Sequence, residues 1–308
     1  MSLARQTLLW ISENRKLRQA LPRYLFIRRA VSRFMPGEEL ADALQAAENL
    51  RANNITTILT RLGENVSQNA ETREVTQHYV EALPQIQQRG LDAYISVKLT
   101  QLGLDFDEEL CLQNLTAIVA RAAAFNNWVW VDMEQSMYVD RTLSLYKKIR
   151  RQYANVGVCV QAYLYRTKDD LSDLLSLSPA IRLVKGAYME PADIAYPEKA
   201  RVDANYLALA QFLFDHVKTH GVTVGIATHD KVLIPKIQRA AEAAGLTKND
   251  YEFQLLYGIQ TPEQLRLAAA GYRMRVLISY GSYWFPWYVR RLAERPANVF
   301  FVLKNLIS

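Results

Sequence analysis

The sequence predicts an α/β fold, a closed (βα)8 barrel of TIM type with extra N-terminal helices, and three observations lead to it. Short apolar runs rich in β-branched residues recur about every thirty residues, with helical patterns between them. The 308 residues of the chain fall within the ~200 to ~400 that one such barrel uses. No glycine-rich turn follows the first predicted strand, which argues against an open, doubly wound sheet that binds a dinucleotide.

Predicted strands and helices alternate along the chain. Strands are predicted at residues 55–59, 94–99, 128–133, 156–162, 181–184, 223–227, 252–256 and 273–278. Helical spacing of apolar residues is clearest at 109–124, 139–153, 204–220 and 261–270. Strands joined by helices form right-handed units with parallel strands, and eight such units close a barrel. We therefore predict a single domain, with residues 1–50 as a helical segment packed on the barrel and residues 51–308 as the catalytic barrel.

The N-terminal segment is strongly basic. Residues 4–33 contain eight Lys and Arg residues and one acid, Glu13, interleaved with apolar residues, in a chain of net charge +6. Such a segment suits an anionic membrane surface or an acidic partner, although a solvated helix face that covers the barrel is the favoured alternative. No apolar run approaches the ~20 residues that span a bilayer, and no secretory signal is present. We expect a cytoplasmic protein, with peripheral contact at the inner face of the membrane left open.

Cysteine usage argues against a disulfide framework and against a zinc site. Cys111 and Cys159 are far apart in the sequence and belong to no CxxC motif or Cys/His cluster. We expect two buried thiols and no metal in the site.

Polar and charged residues stand at the ends of most predicted strands, where the chemistry of a barrel is located. These residues are Lys98, Asp132, Gln161, Lys185, Gly186, Thr228, His229 and Gln254, with Arg182 inside the fifth strand. Each one alone is equally compatible with a structural salt bridge or hydrogen bond. Together they would be costly to bury without a ligand, so they predict a site for a polar small molecule.

An Arg-Arg pair follows the last predicted strand. Arg290 and Arg291 belong to residues 284–295, which predict a helix. Two adjacent guanidinium groups suit a carboxylate or a phosphate, which they bind through paired, charge-assisted hydrogen bonds. On the residues alone, a solvated helix face is the better interpretation.

Seven motifs together resemble those of bacterial monofunctional proline dehydrogenases. They are YISVKLTQLG (94–103), VDMEQS (131–136), QAYLYR (161–166), IRLVKGAY (181–188), ATHD (227–230), YEFQLLYG (251–258) and RRLAERPAN (290–298). The similarity runs in order from about residue 30 to the C-terminus. The resemblance implies oxidation of L-proline to Δ1-pyrroline-5-carboxylate, FAD as the cofactor, and a membrane quinone as the electron acceptor. It implies no metal, no nucleophile and no nucleic-acid partner.

The resemblance also implies roles for individual residues. Arg290 and Arg291 would bind the substrate carboxylate, and Lys98 would complete this cationic clamp. Asp132 matches the active-site aspartate of the family, and its carboxylate would orient Lys98 or a clamp arginine without serving as the proton acceptor. Leu256 would pack on the substrate ring.

Arg182 matches the residue beside flavin N5, where a fixed cation would stabilise the negative charge that arrives with hydride. Gln161 would hydrogen-bond the flavin ring, and Lys185 and His229 would donate toward phosphate or ribose. Gly186 would permit close approach of the backbone. The remaining cofactor contacts implied by the resemblance are Met133, Ala187, Tyr188, Thr228, Gln254 and Glu294, the last suiting a ribose hydroxyl.

One position departs from the family. A tyrosine near the substrate ring commonly stands thirteen positions before the first arginine of the pair, and Leu277 occupies that position here, with Tyr280 and Tyr283 nearby but out of register. Hydroxyproline or another cyclic amino acid therefore stays open as the substrate, because a lost hydroxyl and ring change the pocket.

Two other functions stay open on the residues alone. A Schiff-base aldolase would use Lys98 or Lys185 as an amine nucleophile. A membrane- or nucleic-acid-binding module would use the basic N-terminal segment, but it would not explain the polar strand ends.

Overall fold

A computed structural model of the chain describes residues 31–63 and 69–284. Within these residues eight parallel strands pair in sequence order, and the last strand pairs with the first, so the sheet closes into a barrel. The strands are β1 (Thr56–Arg61), β2 (Ala93–Val97), β3 (Val129–Val131), β4 (Val156–Gln161), β5 (Ala180–Val184), β6 (Thr223–Ile226), β7 (Tyr251–Leu256) and β8 (Arg273–Tyr280). The predicted fold class is confirmed, and each predicted strand overlaps an observed one.

Helices cover the outside of the barrel. They are α1 (Leu40–Arg51), α2 (Asn69–Gln88), α3 (Glu108–Ala124), α4 (Val139–Arg150), α5 (Thr167–Leu174), α6 (Lys199–His220), α7 (Leu233–Ala243) and α8 (Thr261–Ala269). Helix α1 precedes β1 and packs against β1 and β8, where the barrel closes. The other helices connect consecutive strands. The predicted helical segment 1–50 is thus represented by α1, while residues 1–30 lie outside the described residues, and the boundary at residue 50 stays a prediction.

The strands are buried on both faces, which explains why they appear in the sequence as continuous apolar runs. All six residues of β4 are buried, and the outward side chains pack under the helices while the inward ones fill the barrel. Register places Ile58 opposite Leu277 and Thr60 opposite Ser279 on β1 and β8. Because side chains alternate between faces with a period of two, these four residues point into the barrel.

Among the predicted boundaries that differ from the observed ones, two differ for a local reason that the sequence explains. Helix α6 begins at Lys199, five residues before the predicted start at residue 204, since three of its first five residues are charged and no run of apolar residues marks its start. Strand β3 is three residues long and ends at Val131. Asp132 and Met133 then belong to a loop that carries them into the barrel mouth.

Both cysteines are buried free thiols, as the sequence predicts. Burial raises the pKa of Cys111 and of Cys159 to about 12. In residues 31–63 and 69–284, no helix has the length and apolar character needed to cross a membrane. The same residues contain no group of three or more His, Cys, Asp or Glu side chains arranged to hold a metal ion.

Gly258, in the loop after β7, makes a close contact that fixes the chain near residue 33. Its φ of 71° lies in the left-handed region, and a Cβ at this position would overlap the backbone carbonyl of Arg33. Gly271 also has a positive φ, 81°, but no atom lies within 4 Å of its Cβ position. A side chain at residue 271 would therefore meet backbone strain alone, whereas a side chain at residue 258 would meet both backbone strain and steric overlap.

We expect Gly271→Ala to destabilise the fold by about 1 to 2 kcal/mol, the cost of a left-handed L-residue, and Gly258→Ala to destabilise it by clearly more. The additional loss arises because the backbone around Arg33 must move to admit a methyl group. Urea unfolding of the two variants under the same conditions measures the difference. Equal losses would show that the approach of Arg33 to Gly258 contributes nothing to stability.

Candidate active site

A cavity of about 720 Å³ opens at the carboxyl ends of the strands. Its volume lies within the ~300 to ~1,000 Å³ typical of small-molecule sites. Every candidate site residue within the described ranges lines it: Lys98, Asp132, Met133, Gln161, Arg182, Lys185, Gly186, Ala187, Tyr188, Thr228, His229, Gln254, Leu256 and Leu277. Arg290, Arg291 and Glu294 lie outside the described residues.

Asp132 connects two cations at the centre of the cavity. Its Oδ2 accepts a hydrogen bond from Lys98 Nζ at 2.9 Å, and its Oδ1 accepts from Arg182 Nη1 at 2.7 Å and from Ser96 Oγ at 2.8 Å. Burial alone would raise the pKa of Asp132, but the charges of Lys98 and Arg182 outweigh it and lower that pKa. Asp132 is therefore an ionised anchor and a poor proton acceptor near neutral pH.

Lys98 keeps its charge although it lies in the cavity wall. Burial opposes the charged form, yet the neighbouring carboxylate of Asp132 raises the pKa of Lys98 above its ordinary value. The sequence left open whether Asp132 orients Lys98 or a clamp arginine. In the structure it holds Lys98 together with Arg182, which stands on β5.

The guanidinium of Arg182 is fixed on all sides but one. Its Nε donates to Gln254 Oε1 at 2.6 Å, its Nη1 donates to Ser96 and Asp132, and its Cζ lies 4.8 Å from the ring centre of Trp130. Its Nη2 is buried and has no hydrogen-bond partner among the described residues. A buried donor without a partner is costly, so this nitrogen is suited to an acceptor on a ligand.

Gln161 presents the complementary group in the same cavity. Its Nε2 donates to the backbone carbonyl of Glu134 at 3.0 Å, while its buried Oε1 accepts from no described residue. Among the described residues that line the cavity, four have a buried polar atom without a partner: Arg182 Nη2, Gln161 Oε1 and the hydroxyls of Thr60 and Ser279.

A second charged cluster lies at another part of the wall. Lys185 Nζ contacts Asp203 Oδ1 at 2.5 Å and Asp230 Oδ2 at 2.7 Å, and Lys199 contacts the same two carboxylates. Lys185 would therefore share its ammonium group between these aspartates and any phosphate. Lys199 and Asp230 also line the cavity but were not predicted from the sequence, although Asp230 belongs to the ATHD motif.

One of the two ring nitrogens of His229 is engaged within the protein. Its Nε2 accepts the backbone N–H of Leu256 at 2.8 Å, so this nitrogen does not donate toward phosphate or ribose. In the neutral tautomer that this bond selects, the proton is on Nδ1, and only that side of the ring donates. The bond also ties the loop after β6 to the end of β7 and positions Leu256 in the wall.

Gly186 adopts a φ of 111°, and a Cβ there would overlap the ring of Tyr163. The glycine is thus required by the turn and by the packing of Tyr163. Both constraints come from within the chain.

Leu277 lies in the cavity wall, packed on the buried cluster of Ile58 and Trp130. Tyr280 points to the outside of the barrel, where its hydroxyl lies 2.7 Å from His78 Nε2. Tyr283, by contrast, is exposed and lines the cavity. Of the two nearby tyrosines, only Tyr283 is therefore placed to contact a ligand.

Some cavity residues could have been found from the two-residue period of the strands. Cys159 stands two positions before Gln161 on β4, and Ser279 stands two positions after Leu277 on β8, so each pair shares an inward face. Thr60 also lines the cavity, opposite Ser279 on the neighbouring strand. The sequence does not show which residues of β1 and β8 are paired.

Comparison with known proteins identifies several similar sequences. A family model described as proline dehydrogenase matches residues 43–304. Proline dehydrogenase 1 of Bacillus subtilis subsp. natto is 35% identical over 306 residues, which cover 99% of this chain and 100% of that protein. Proline dehydrogenase of Deinococcus radiodurans is 36% identical over 311 residues, covering 99% of this chain and 98% of the relative.

Among solved structures, proline utilization A (PutA) from Bdellovibrio bacteriovorus superposes with a TM-score of 0.81 at 23% identity. The superposition covers 94% of this chain and 36% of that longer protein. At this identity the likeness shows the shared barrel fold.

Replacement of Asp132 should lower the stability of the fold, because Lys98 and Arg182 would lose their shared counter-charge. We expect Asp132→Asn to lower the free energy of unfolding at neutral pH by about 3 to 5 kcal/mol, because Lys98 and Arg182 would face each other without a counter-charge. Since the folded pKa of Asp132 lies below its ordinary value, its stabilisation is present above that ordinary value and is lost as pH falls through the folded pKa. Acidification below about pH 4 should thus destabilise the wild type more steeply than the variant.

Asp140 provides the matched control. Its side chain is 79% exposed and pairs with Arg166 on the surface, so Asp140→Asn should cost about 1 kcal/mol or less. Denaturant unfolding between pH 3 and pH 7 compares the three proteins. If Asp132→Asn and Asp140→Asn behave alike, Asp132 does not anchor the two cations.

Proposed function

This chain belongs to the proline dehydrogenase family, and from that premise we propose that it oxidises L-proline to Δ1-pyrroline-5-carboxylate with FAD as the cofactor and a membrane quinone as the final electron acceptor. The observation that carries the proposal is Arg182, a buried cation fixed on two nitrogens, with the third unpartnered in the cavity wall.

The donor and acceptor pattern of the wall fits a flavin. A flavin ring presents acceptor nitrogens and oxygens together with a ring N–H, which match the unsatisfied Arg182 Nη2 and Gln161 Oε1. When bound, FAD supplies the acceptor for a hydride equivalent from substrate carbon. The fixed charge of Arg182 would stabilise the negative charge that develops, without reorganisation at the moment of reaction.

Several other residues would hold the remainder of the cofactor. Lys185 would place its shared ammonium near phosphate, and His229 would donate from Nδ1 only. The other proposed contacts are Met133, Gly186, Ala187, Tyr188, Thr228, Gln254 and Glu294, of which Glu294 lies outside the described residues.

The substrate side of the proposal rests on Lys98. Its raised pKa keeps the ammonium charged, and Asp132 fixes its direction, so Lys98 can bind a carboxylate in the cavity. Arg290 and Arg291 would complete the clamp. Leu256 and Leu277 supply apolar wall for the hydrocarbon part of a small ring.

The reaction imposes a protonation requirement on the substrate. The nitrogen must be neutral before oxidation, because its lone pair forms the C=N bond as the adjacent C–H bond breaks and its electron pair leaves as hydride. Asp132 is held ionised by Lys98 and Arg182, so it is a weak base, and the ammonium proton is released to solvent. Turnover should therefore increase from neutral to mildly alkaline pH.

A Schiff-base aldolase is disfavoured by the environment of both lysines. An amine nucleophile must be neutral, which proteins achieve with apolar surroundings or nearby cations. Lys98 instead contacts Asp132, which raises its pKa, and Lys185 contacts Asp203 and Asp230.

A quinone acceptor requires access to a membrane, where quinones reside. We therefore also propose that the chain contacts the inner face of the membrane. The basic segment of residues 4–33 would provide it by attraction to anionic lipids.

Purified protein should show the absorbance spectrum of an oxidised flavin, and addition of L-proline without oxygen should bleach it. Denaturation by acid should release the flavin into solution, because the cofactor is expected to be non-covalent. The spectrum before and after L-proline, followed by analysis of the supernatant, tests both points. Protein reconstituted with FAD that L-proline does not bleach would refute the proposed substrate.

Leu277→Tyr should shift preference toward unsubstituted L-proline over trans-4-hydroxy-L-proline. A tyrosine would fill space in the cavity wall and bring a hydroxyl that must find a partner when buried, a change of about 1 to 3 kcal/mol in discrimination. The ratio of kcat/KM for the two substrates, with FAD content measured alongside, gives the result.

Tyr280→Phe is the control for this substitution, since Tyr280 is on the same strand but points away from the cavity to His78. It should leave the ratio unchanged. An unchanged ratio in Leu277→Tyr at full FAD content would show that Leu277 does not contact the substrate.

A further inference from the structure

We infer that Glu252, a buried carboxylate inside the barrel, is a positioning residue for the reaction: through Gln254 it holds Arg182 in the direction needed at the cofactor. Glu252 is 5% exposed and does not line the cavity. The inference rests on the proposed function, because it concerns the residue placed beside the reducible ring.

The side-chain amide of Gln254 is the link between the two residues. Its Oε1 accepts from Arg182 Nε at 2.6 Å, and its Nε2 donates to Glu252 Oε1 at 2.6 Å. Gln254 is 3% exposed, so water does not replace these bonds readily. Both ends of the amide are engaged within the protein.

Only one orientation of this amide satisfies both neighbours. If the amide turned over, its NH2 group would face the Arg182 guanidinium and its oxygen would face the Glu252 carboxylate. Two donors and two acceptors would then oppose each other in a buried place, where unsatisfied polar groups are most costly. The carboxylate of Glu252 therefore selects the orientation that offers Arg182 an oxygen.

Glu252 is itself held rigidly from the opposite end of the barrel. Arg275 Nε donates to Glu252 Oε2 at 3.2 Å, and Arg275 Nη1 donates to Asp92 Oδ1 at 2.9 Å and to the carbonyl of Thr57 at 3.1 Å. The guanidinium lies 3.5 Å from the ring centre of Tyr94. With Arg275 bonded to it on the other side, the Glu252 carboxylate has little freedom to move.

Gly225 on β6 leaves room for the Gln254 amide. A Cβ at residue 225 would lie 2.6 Å from Gln254 Nε2 and 2.9 Å from its Cδ, closer than real contacts allow. An alanine there would displace the amide without changing any charge, which provides a second way to test the same link.

Together these contacts form a continuous chain through the barrel. It runs from Asp92 at the amino ends of the strands, through Arg275, Glu252 and Gln254, to Arg182 at the cavity. Because every member is buried or anchored by a buried partner, a change at Glu252 reaches Arg182 through defined bonds.

The test is the reduction potential of the FAD-bound protein with Glu252→Gln. Loss of the carboxylate should let the Gln254 amide turn, leave Arg182 less fixed, and shift the flavin potential to a lower value. Removal of a negative charge acting only through space would shift it to a higher value. The rate constant of flavin reduction by saturating L-proline should fall about tenfold, while the KM for L-proline changes little.

Gly225→Ala should lower the potential in the same direction, and it gives the answer if Glu252→Gln does not fold. Glu263→Gln is the matched control, because Glu263 pairs with Arg266 on α8 and is outside the chain of contacts. A potential that is unchanged or higher in Glu252→Gln, or unchanged in Gly225→Ala where only that variant folds, would overturn the inference. Failure of the proposed function would look different from failure of this inference, because in that case the wild type itself would bind no flavin that L-proline reduces.

Discussion

The contact of Asp132 with two buried cations is the interaction on which the cavity depends. Lys98 follows β2, Asp132 follows β3 and Arg182 is in the middle of β5, so three separate strands must hold these residues at the same level for the carboxylate to lie between the ammonium and the guanidinium. Without the carboxylate, the two cations would repel each other in a poorly solvated place. With it, both cations line the cavity next to a counter-charge.

The interior of the barrel is more polar than the layer between the strands and the helices, and its polar side chains are hydrogen-bonded to one another. The apolar residues are concentrated between the strands and the helices, whereas Arg182, Gln254, Glu252 and Arg275 stand inside the barrel. Each is hydrogen-bonded to the next, and aromatic rings cover the two guanidinium planes. These charged and polar side chains are tolerated because each bonds its neighbours, and among the polar atoms of these four residues only Arg182 Nη2 lacks a partner in the described part of the chain.

Family membership and local structure contribute different information. The similarity over nearly the whole chain establishes the family. The direction of individual side chains decides which residues form the cavity wall in this member. Leu277 faces the cavity, and the neighbouring Tyr280 is bound to His78 outside the barrel. The cavity wall at Leu277 is therefore aliphatic.

The sequence by itself determined the eight strands, the helices between them, and the polar residues at the strand ends, because apolar periodicity and strand length are local properties of the chain. It also identified most of the charged and polar cavity residues within its motifs, although not Asp230. Only the tertiary structure decided that Thr60 pairs with Ser279 across β1 and β8, and that His229 accepts a hydrogen bond from the backbone N–H of Leu256. It also decided which way the Gln254 amide points. Those outcomes depend on closure of the barrel and on contacts between residues distant in sequence, whose relative position no local pattern specifies.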